Sequence, residues 1–265
     1  MADKILLGII GGSGLYNLEN VTQLQDIEIS TPYGMPSSVY KRCKIDEYEL
    51  VFLSRHGEKH SFAPHNINYR ANIWGFKELG VTRIISINST GGITKNHTPG
   101  TIALLDQIID LTSGARESTY FDSDRVVHID FTEPFCGDLK TLLIKSCVKA
   151  GIAFVENSVY ICVNGPRLET SAEIRYFAMI GADVVGMTLM PEAVLARELG
   201  ICFAGISIVS NKAAGISEGK LTVKEVKETV GLSYEKIINI LKNLLPIMNY
   251  KQKCQCSESL KDAEM

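Results

Sequence analysis

The side chains able to do chemistry fall in a handful of short segments, each at the end of an apolar run. In "GIIGGSG", Gly8 to Gly14, glycines after a strand let backbone N–H groups approach an anion and Ser13 adds a hydroxyl; a tight structural turn is the equal alternative. The spacing is neither G-x-G-x-x-G nor a Gly-Lys-Ser/Thr phosphate loop. In "SRHGEKH", Ser54 to His60, Arg55 offers a guanidinium fork and His56 a second donor, a pairing suited to phosphate or carboxylate, with His60 at the rim; read alone, the segment also fits a solvated surface turn. "INSTGGI" and "GMTLMPE" place the hydroxyls of Ser89, Thr90 and Thr188 at strand ends, where they either cap the strand or donate to an anion, and Met187 could lie flat on a sugar ring. Glu192 follows a proline at an expected helix start, where it complements the helix dipole. In "NGPRLETSAEIR", Gly-Pro breaks a strand, Thr170 or Ser171 caps a helix, and Glu169 either favours that terminus or points into a cleft as an acceptor. "SIVSNKAAG" ends a buried strand on Asn211, a carboxamide that can read a pattern of donors and acceptors.

The elements that position these groups follow from hydrophobic patterning. Continuous apolar runs recur ("ILLGIIGG", "YELVFLSRHG", "RIISINSTGG", "TIALLDQIID", "SVYICVNGP", "DVVGMTLMP", "CFAGISIVSN"), as in a sheet covered on both faces. Helical patterns alternate with them: "NINYRANIWGFKELG", "GDLKTLLIKSCVKAG", "SAEIRYFAMIG", "PEAVLARELG" and "TVKEVKETVGLSYEKIINILKNLL". The alternation predicts an α/β fold with a mainly parallel or mixed sheet flanked by helices. Ligands of such sheets gather beyond the carboxyl ends of the strands, where the polar clusters fall.

The 265 residues, 45% hydrophobic and 22% charged, suffice for one large domain, expected over residues 1–249, with a polar disordered tail over 250–265. A net charge of −3 without a basic stripe argues against nucleic acid as a partner. The opening apolar stretch is short and broken by glycines, so it reads as a buried strand; no membrane association and a cytoplasmic location are expected. Of the seven cysteines, Cys43, Cys136, Cys147, Cys162 and Cys202 sit among apolar neighbours and read as buried small hydrophobes. Cys254 and Cys256 lie in the polar tail and could bridge or bind metal, but no partner pair stands at zinc-site spacing, so no metal is expected.

Taken in order, "GIIGGSGL", "TPYGMPS", "SRHG", "NYRANIW", "TGGI", "EPFC", "GPRLETSAEIR", "GADVVGMTLMPEAVLARELGI" and "SNKAAG" resemble the trimeric purine nucleoside phosphorylase and methylthioadenosine phosphorylase family from about residue 5 to residue 245. The resemblance implies a barrel-like distorted sheet, a homotrimer or homohexamer, and cofactor-free phosphorolysis with inorganic phosphate as co-substrate. It implies phosphate held by Ser13, Arg55, His56, the Ser89 amide and Thr188, and Met187 beneath the ribose. Adenine-preferring members end the last strand with aspartates, whereas here Asn211 and Ala213 occupy those places; with Glu169, this pattern is similar to that of members acting on 6-oxopurines. An Asn amide donates to O6 or N7, and an ionised Glu accepts from N1–H. Leu221, Val223 and Val226 match the apolar lining of a methylthio pocket, and His128 matches a histidine reaching the 5′ pocket from a neighbouring subunit. The combination implies conversion of S-methyl-5′-thioinosine to hypoxanthine and 5-methylthioribose 1-phosphate, with inosine/guanosine or methylthioadenosine phosphorolysis as alternatives. Leu168 departs from the phenylalanine of both better-known branches, and the tail matches neither. Outside this family, a nucleotide-dependent oxidoreductase lacks the helix and ribose-binding acid it needs, and a non-catalytic purine-binding protein has no use for phosphate donors.

Overall fold

The computed structural model describes residues 7–12, 21–112, 114, 116–123, 125–216, 223–248 and 254–264. Its nine strands are β1 (Leu7–Gly11), β2 (Thr22–Ile27), β3 (Tyr40–Ile45), β4 (Tyr48–Ser54), β5 (Arg83–Gly92), β6 (Ile102–Asp110), β7 (Phe154–Cys162), β8 (Val184–Gly186) and β9 (Cys202–Lys212). The helices are α1 (Tyr69–Glu78), α2 (Gly137–Lys149), α3 (Ser171–Met179), α4 (Leu189–Glu198) and α5 (Val223–Leu244). The expected α/β class and single mixed sheet hold, as do all five helices.

The sheet runs β2-β3-β4-β1-β5-β8-β7-β6-β9, and a further pairing of β9 with β5 closes its second half into a ring. β5 is the hub: it is parallel to β1 and β9 and antiparallel to β8. β1, β4, β5 and β9 run parallel and side by side, so the segments after Gly11, Ser54, Ser89 and Ser210 emerge at one edge. The runs of these strands are apolar because both faces are covered: Ile9, Phe52, Ile85 and Ile206 pack in one cluster with α2 and α5, while Ile10, Leu53, Ile84 and Phe203 pack in another with α1 and α4.

β2 and β3 carry no sequence signal of that kind. β2 is an exposed edge strand, "TQLQDI", and β3 reads "YKRCKI", so alternation is blurred by charge at the rim of the sheet. The tail also differs from expectation. Residues 254–264 lie against the body, with the His128 N–H donating to the Ala263 carbonyl at 2.8 Å and Cys256 and Ala263 buried. Composition marks the segment as polar, but its few small apolar side chains are the ones turned inward.

Candidate active site

At the C-terminal edge of β4, the Arg55 N–H donates to the Gly11 carbonyl at 3.1 Å, fixing the start of the "SRHG" turn against β1. The Arg55 side chain is only 4% exposed and is clasped by Glu192, which is fully buried. Nε donates to Glu192 Oε1, Nη2 to Glu192 Oε2 at 3.1 Å and Ser86 Oγ at 2.7 Å, and Nη1 to the Ile87 carbonyl at 3.2 Å. Among the described residues these bonds occupy four of the five N–H donors of the guanidinium. Arg55 is thus no solvated turn residue, and one Nη1–H is left for an anion. Burial, the largest single effect, would lower its pKa, but the charge and hydrogen bonds of Glu192 together turn the value upward. Glu192 also departs from expectation, because it serves as the counter-ion of Arg55 and does not merely complement the dipole of α4.

The network continues. Ser86 Oγ donates to Glu192 Oε2 at 2.6 Å and accepts from Asn88 Nδ2 at 3.1 Å, and Thr188 Oγ1 donates to Asn88 Oδ1 at 3.0 Å. Since β8 runs antiparallel to β5, the residues that follow it pass beside Asn88 and Ser89, which brings Thr188 to the same edge. Ser89 is exposed there, while Thr90 Oγ1 is buried without a hydrogen-bond partner among the described residues. Met187 is half-buried and packs its sulfur over Gly165.

His56 is held by Nδ1, which lies 2.8 Å from the Phe62 carbonyl, and stacks on exposed His60 with ring centroids 4.4 Å apart. Burial, reinforced by the positive Arg55, pushes His56 down to about 4. The imidazole is therefore neutral near pH 7. Because a carbonyl can only accept, the proton sits on Nδ1 and Nε2 presents a lone pair.

Asn211 stands at the end of β9 and Glu169 precedes α3, and the segments that carry them meet at one close approach. Gly215, at φ +75°, turns the chain after β9, and a Cβ there would collide with the Ser171 hydroxyl at the start of α3. Ala213 meanwhile packs with Ile174 and Phe177 of α3. Thr170 caps α3 by accepting from the Glu173 N–H at 3.1 Å, and Glu173 returns a bond from the Thr170 N–H at 2.7 Å. That box fixes the backbone immediately after Glu169. Burial raises the Glu169 pKa. Asn211 Oδ1 accepts from Ser210 Oγ at 2.7 Å and Nδ2 donates to the Lys212 carbonyl at 2.7 Å, so the second Nδ2 hydrogen is available to a ligand. Lys212 itself donates to the Thr94 and His97 carbonyls at 3.3 and 3.2 Å, tying the loop after β5 to the end of β9.

Other expected residues stand apart. Ser13 and Leu221 lie outside the described residues, as does the side chain of Val223; Val226, one turn on, is half-buried. Leu168 is 55% exposed. His128 is exposed and borders a cavity with Asp130, Lys261 and Asp262, not the strand-end group of its own chain. Arg116 escaped sequence reading because it sits in no motif. It binds the Met190 carbonyl at 2.6 Å and the Asn164 carbonyl at 2.9 Å, joining the turns after β7 and β8.

Comparisons with known proteins place this geometry in context. A model described as "Phosphorylase superfamily" matches residues 6–246. A "Probable S-methyl-5'-thioinosine phosphorylase" of Thermodesulfovibrio yellowstonii is 50% identical over 98% of this chain and 97% of its own length. A 6-oxopurine nucleoside phosphorylase of Pyrococcus furiosus is 41% identical over 97% and 98% of the two chains. Among solved structures, methylthioadenosine phosphorylase from Schistosoma mansoni in complex with adenine superposes with a TM-score of 0.91 at 30% identity, covering 98% of this chain and 99% of that one.

Proposed function

Since this chain belongs to the phosphorylase superfamily, we propose that it is a pentosyltransferase that splits the N-glycosidic bond of a 6-oxopurine nucleoside with inorganic phosphate, S-methyl-5′-thioinosine being the preferred substrate. The observation that carries the base preference is the orientation of the Asn211 amide. Ser210 on its oxygen and the Lys212 carbonyl on one N–H hold the amide so that its second N–H is available to a base, the partner that O6 or N7 requires. Glu169, ionised, supplies the acceptor for N1–H. Adenine inverts both groups at N1 and C6, and a buried mismatch of that kind is costly.

The reaction follows from the same placement. The C1′–N9 bond lengthens to an oxocarbenium-like sugar, a phosphate oxygen forms the new bond to C1′, and the purine departs with the electron pair. Asn211 donates to the base as its negative charge grows. Phosphate is oriented by the free Nη1–H of Arg55, the Ser89 amide and Thr188, whose hydroxyl turns from Asn88 to the anion; Ser13 belongs to this set by resemblance. His56 Nε2 accepts from a phosphate hydroxyl, or takes a proton as the anion arrives. Met187 lies under the ribose, Leu168, Val226, His60 and the His128 of a neighbouring copy border the 5′ side, Val223 belongs to this group by resemblance, and the working unit is a homotrimer or homohexamer. Positioning and electrostatics supply the rate enhancement with no cofactor.

Base release from methylthioinosine, methylthioadenosine, inosine and adenosine, each with and without phosphate, tests this. Phosphate-dependent turnover fastest on methylthioinosine is expected. Faster turnover of methylthioadenosine would sink the assignment of Asn211, and turnover without phosphate would sink phosphorolysis.

A further inference from the structure

Four cysteines distant in sequence meet at the back of β9. Cys136 caps the N-terminus of α2, Cys202 opens β9, and Cys254 and Cys256 come from the C-terminal segment. Their four sulfurs all lie within 4.8 Å of one another, with three of the residues buried and Cys254 half-buried. The Cys202 and Cys254 sulfurs are 3.2 Å apart, well beyond the ~2.05 Å of a disulfide. In a tetrahedral tetrathiolate site with metal–sulfur bonds of about 2.3 Å, the sulfurs stand about 3.8 Å from one another. We propose that Cys136, Cys202, Cys254 and Cys256 bind one Zn²⁺ and that this ion fastens the C-terminal segment to the barrel.

The surroundings suit thiolates. The Leu139 N–H, in the first turn of α2, points at Cys136 Sγ from 3.5 Å, and Arg197 Nη1 lies 3.9 Å from Cys256 Sγ. Four thiolates in one buried place need a cation, and a soft sulfur set selects zinc over calcium or magnesium. Cys254 is the least buried of the four. The fold is shaped for the approach. A Cβ at Gly200, whose φ is +69°, would stand 3.2 Å from Ser257 Cα, so the turn before Cys202 must be glycine for the tail to come this close. Beyond the cysteines, Ser259 Oγ donates to the Arg197 carbonyl at 2.5 Å and Val127 bridges Glu264, extending the contact the ion would anchor.

The test is elemental analysis of the full chain purified under reducing conditions without chelator. About one zinc per chain is expected, released in step as a mercurial titrates the four thiols. The Cys254→Ser/Cys256→Ser double variant should fall to below about a tenth of that content, and Cys43→Ser should keep it. Iron in place of zinc, or a chain that takes up no zinc when titrated with the metal, would overturn the proposal. So would an unreduced intact mass lower by two or four hydrogens, which would mean disulfides. The wild-type measurements decide the matter even if the double variant does not fold.

Discussion

In the proposed reaction, Asn211 and Glu169 divide the recognition of the base between a fixed donor and an acceptor whose charge depends on pH. Replacing Asn211 by Asp puts a carboxyl beside the Lys212 carbonyl, which favours the protonated form; that form can donate to N7 and accept from a 6-amino group. The ratio of kcat/KM for 6-oxo over 6-amino nucleosides should fall by about tenfold to a hundredfold, the scale of one mispaired buried polar group, and an unmoved ratio would remove Asn211 from this role. For Glu169 the sign is set by burial. Its pKa lies above the ordinary 4.5, and the ionised form is the one that accepts N1–H, so activity on 6-oxopurine nucleosides should be lost on acidification at a pH where an exposed carboxylate would still be charged. A pH–rate profile should show that limb, and Glu169→Gln should lack it. As candidates, both residues were legible in the sequence, because each sits at a break between an apolar run and a helix. Glu192 was legible only as a helix-terminal acid, since the arginine that it neutralises lies 137 positions away and pairing across that separation leaves no local trace.

That pair joins elements. Arg55 follows β4, Ser86 lies within β5 and Glu192 within α4, so one buried network holds the helix to the two strands whose ends carry Arg55 and Ser89, the proposed phosphate donors. Glu192→Gln should leave a buried, uncompensated guanidinium and lower stability by about 3–5 kcal/mol, measured as a shift in denaturant midpoint at constant m. Arg55→Met with Glu192→Leu removes both charges and should recover most of that loss, yet phosphate-dependent turnover should remain abolished. Recovery of turnover would deny Arg55 its role, and an unshifted midpoint in Glu192→Gln would deny the pair its structural one. The same strands explain what could be read of the fold. β1, β4, β5 and β9 are buried along most of their length, and their sequences are apolar runs; β2 lies at the open edge, where solvent admits Thr, Gln and Asp, and β3 beside it carries Lys and Arg, so the pattern dissolves. The closing of β9 onto β5, which turns a sheet into a ring, is a matter of register between distant strands that no local pattern encodes.

At the scale of the molecule, the helix that follows Glu169 carries exposed apolar surface. Tyr176, Met179 and Ile180, 49%, 78% and 38% exposed, are spaced to share one face of α3 and its terminus, and Leu168, 55% exposed, lies beside Glu169 in the segment leading into that helix. A soluble chain seldom leaves such a group facing water unless something covers it. The proposed cover is a second copy of this chain, because α3 is itself locked to the turn carrying Asn211 through Ala213 and Gly215, and ordering α3 from outside would order both proposed base readers at once. Light scattering should therefore give three or six times the chain mass. Met179→Asp, which places a charge at the most exposed of these positions without touching the capping box or Glu169, should reduce that mass and raise KM for the nucleoside more than it lowers kcat. A wild-type mass of one chain would remove the assembly, whereas an assembled Met179→Asp variant with unchanged KM would move the interface away from α3.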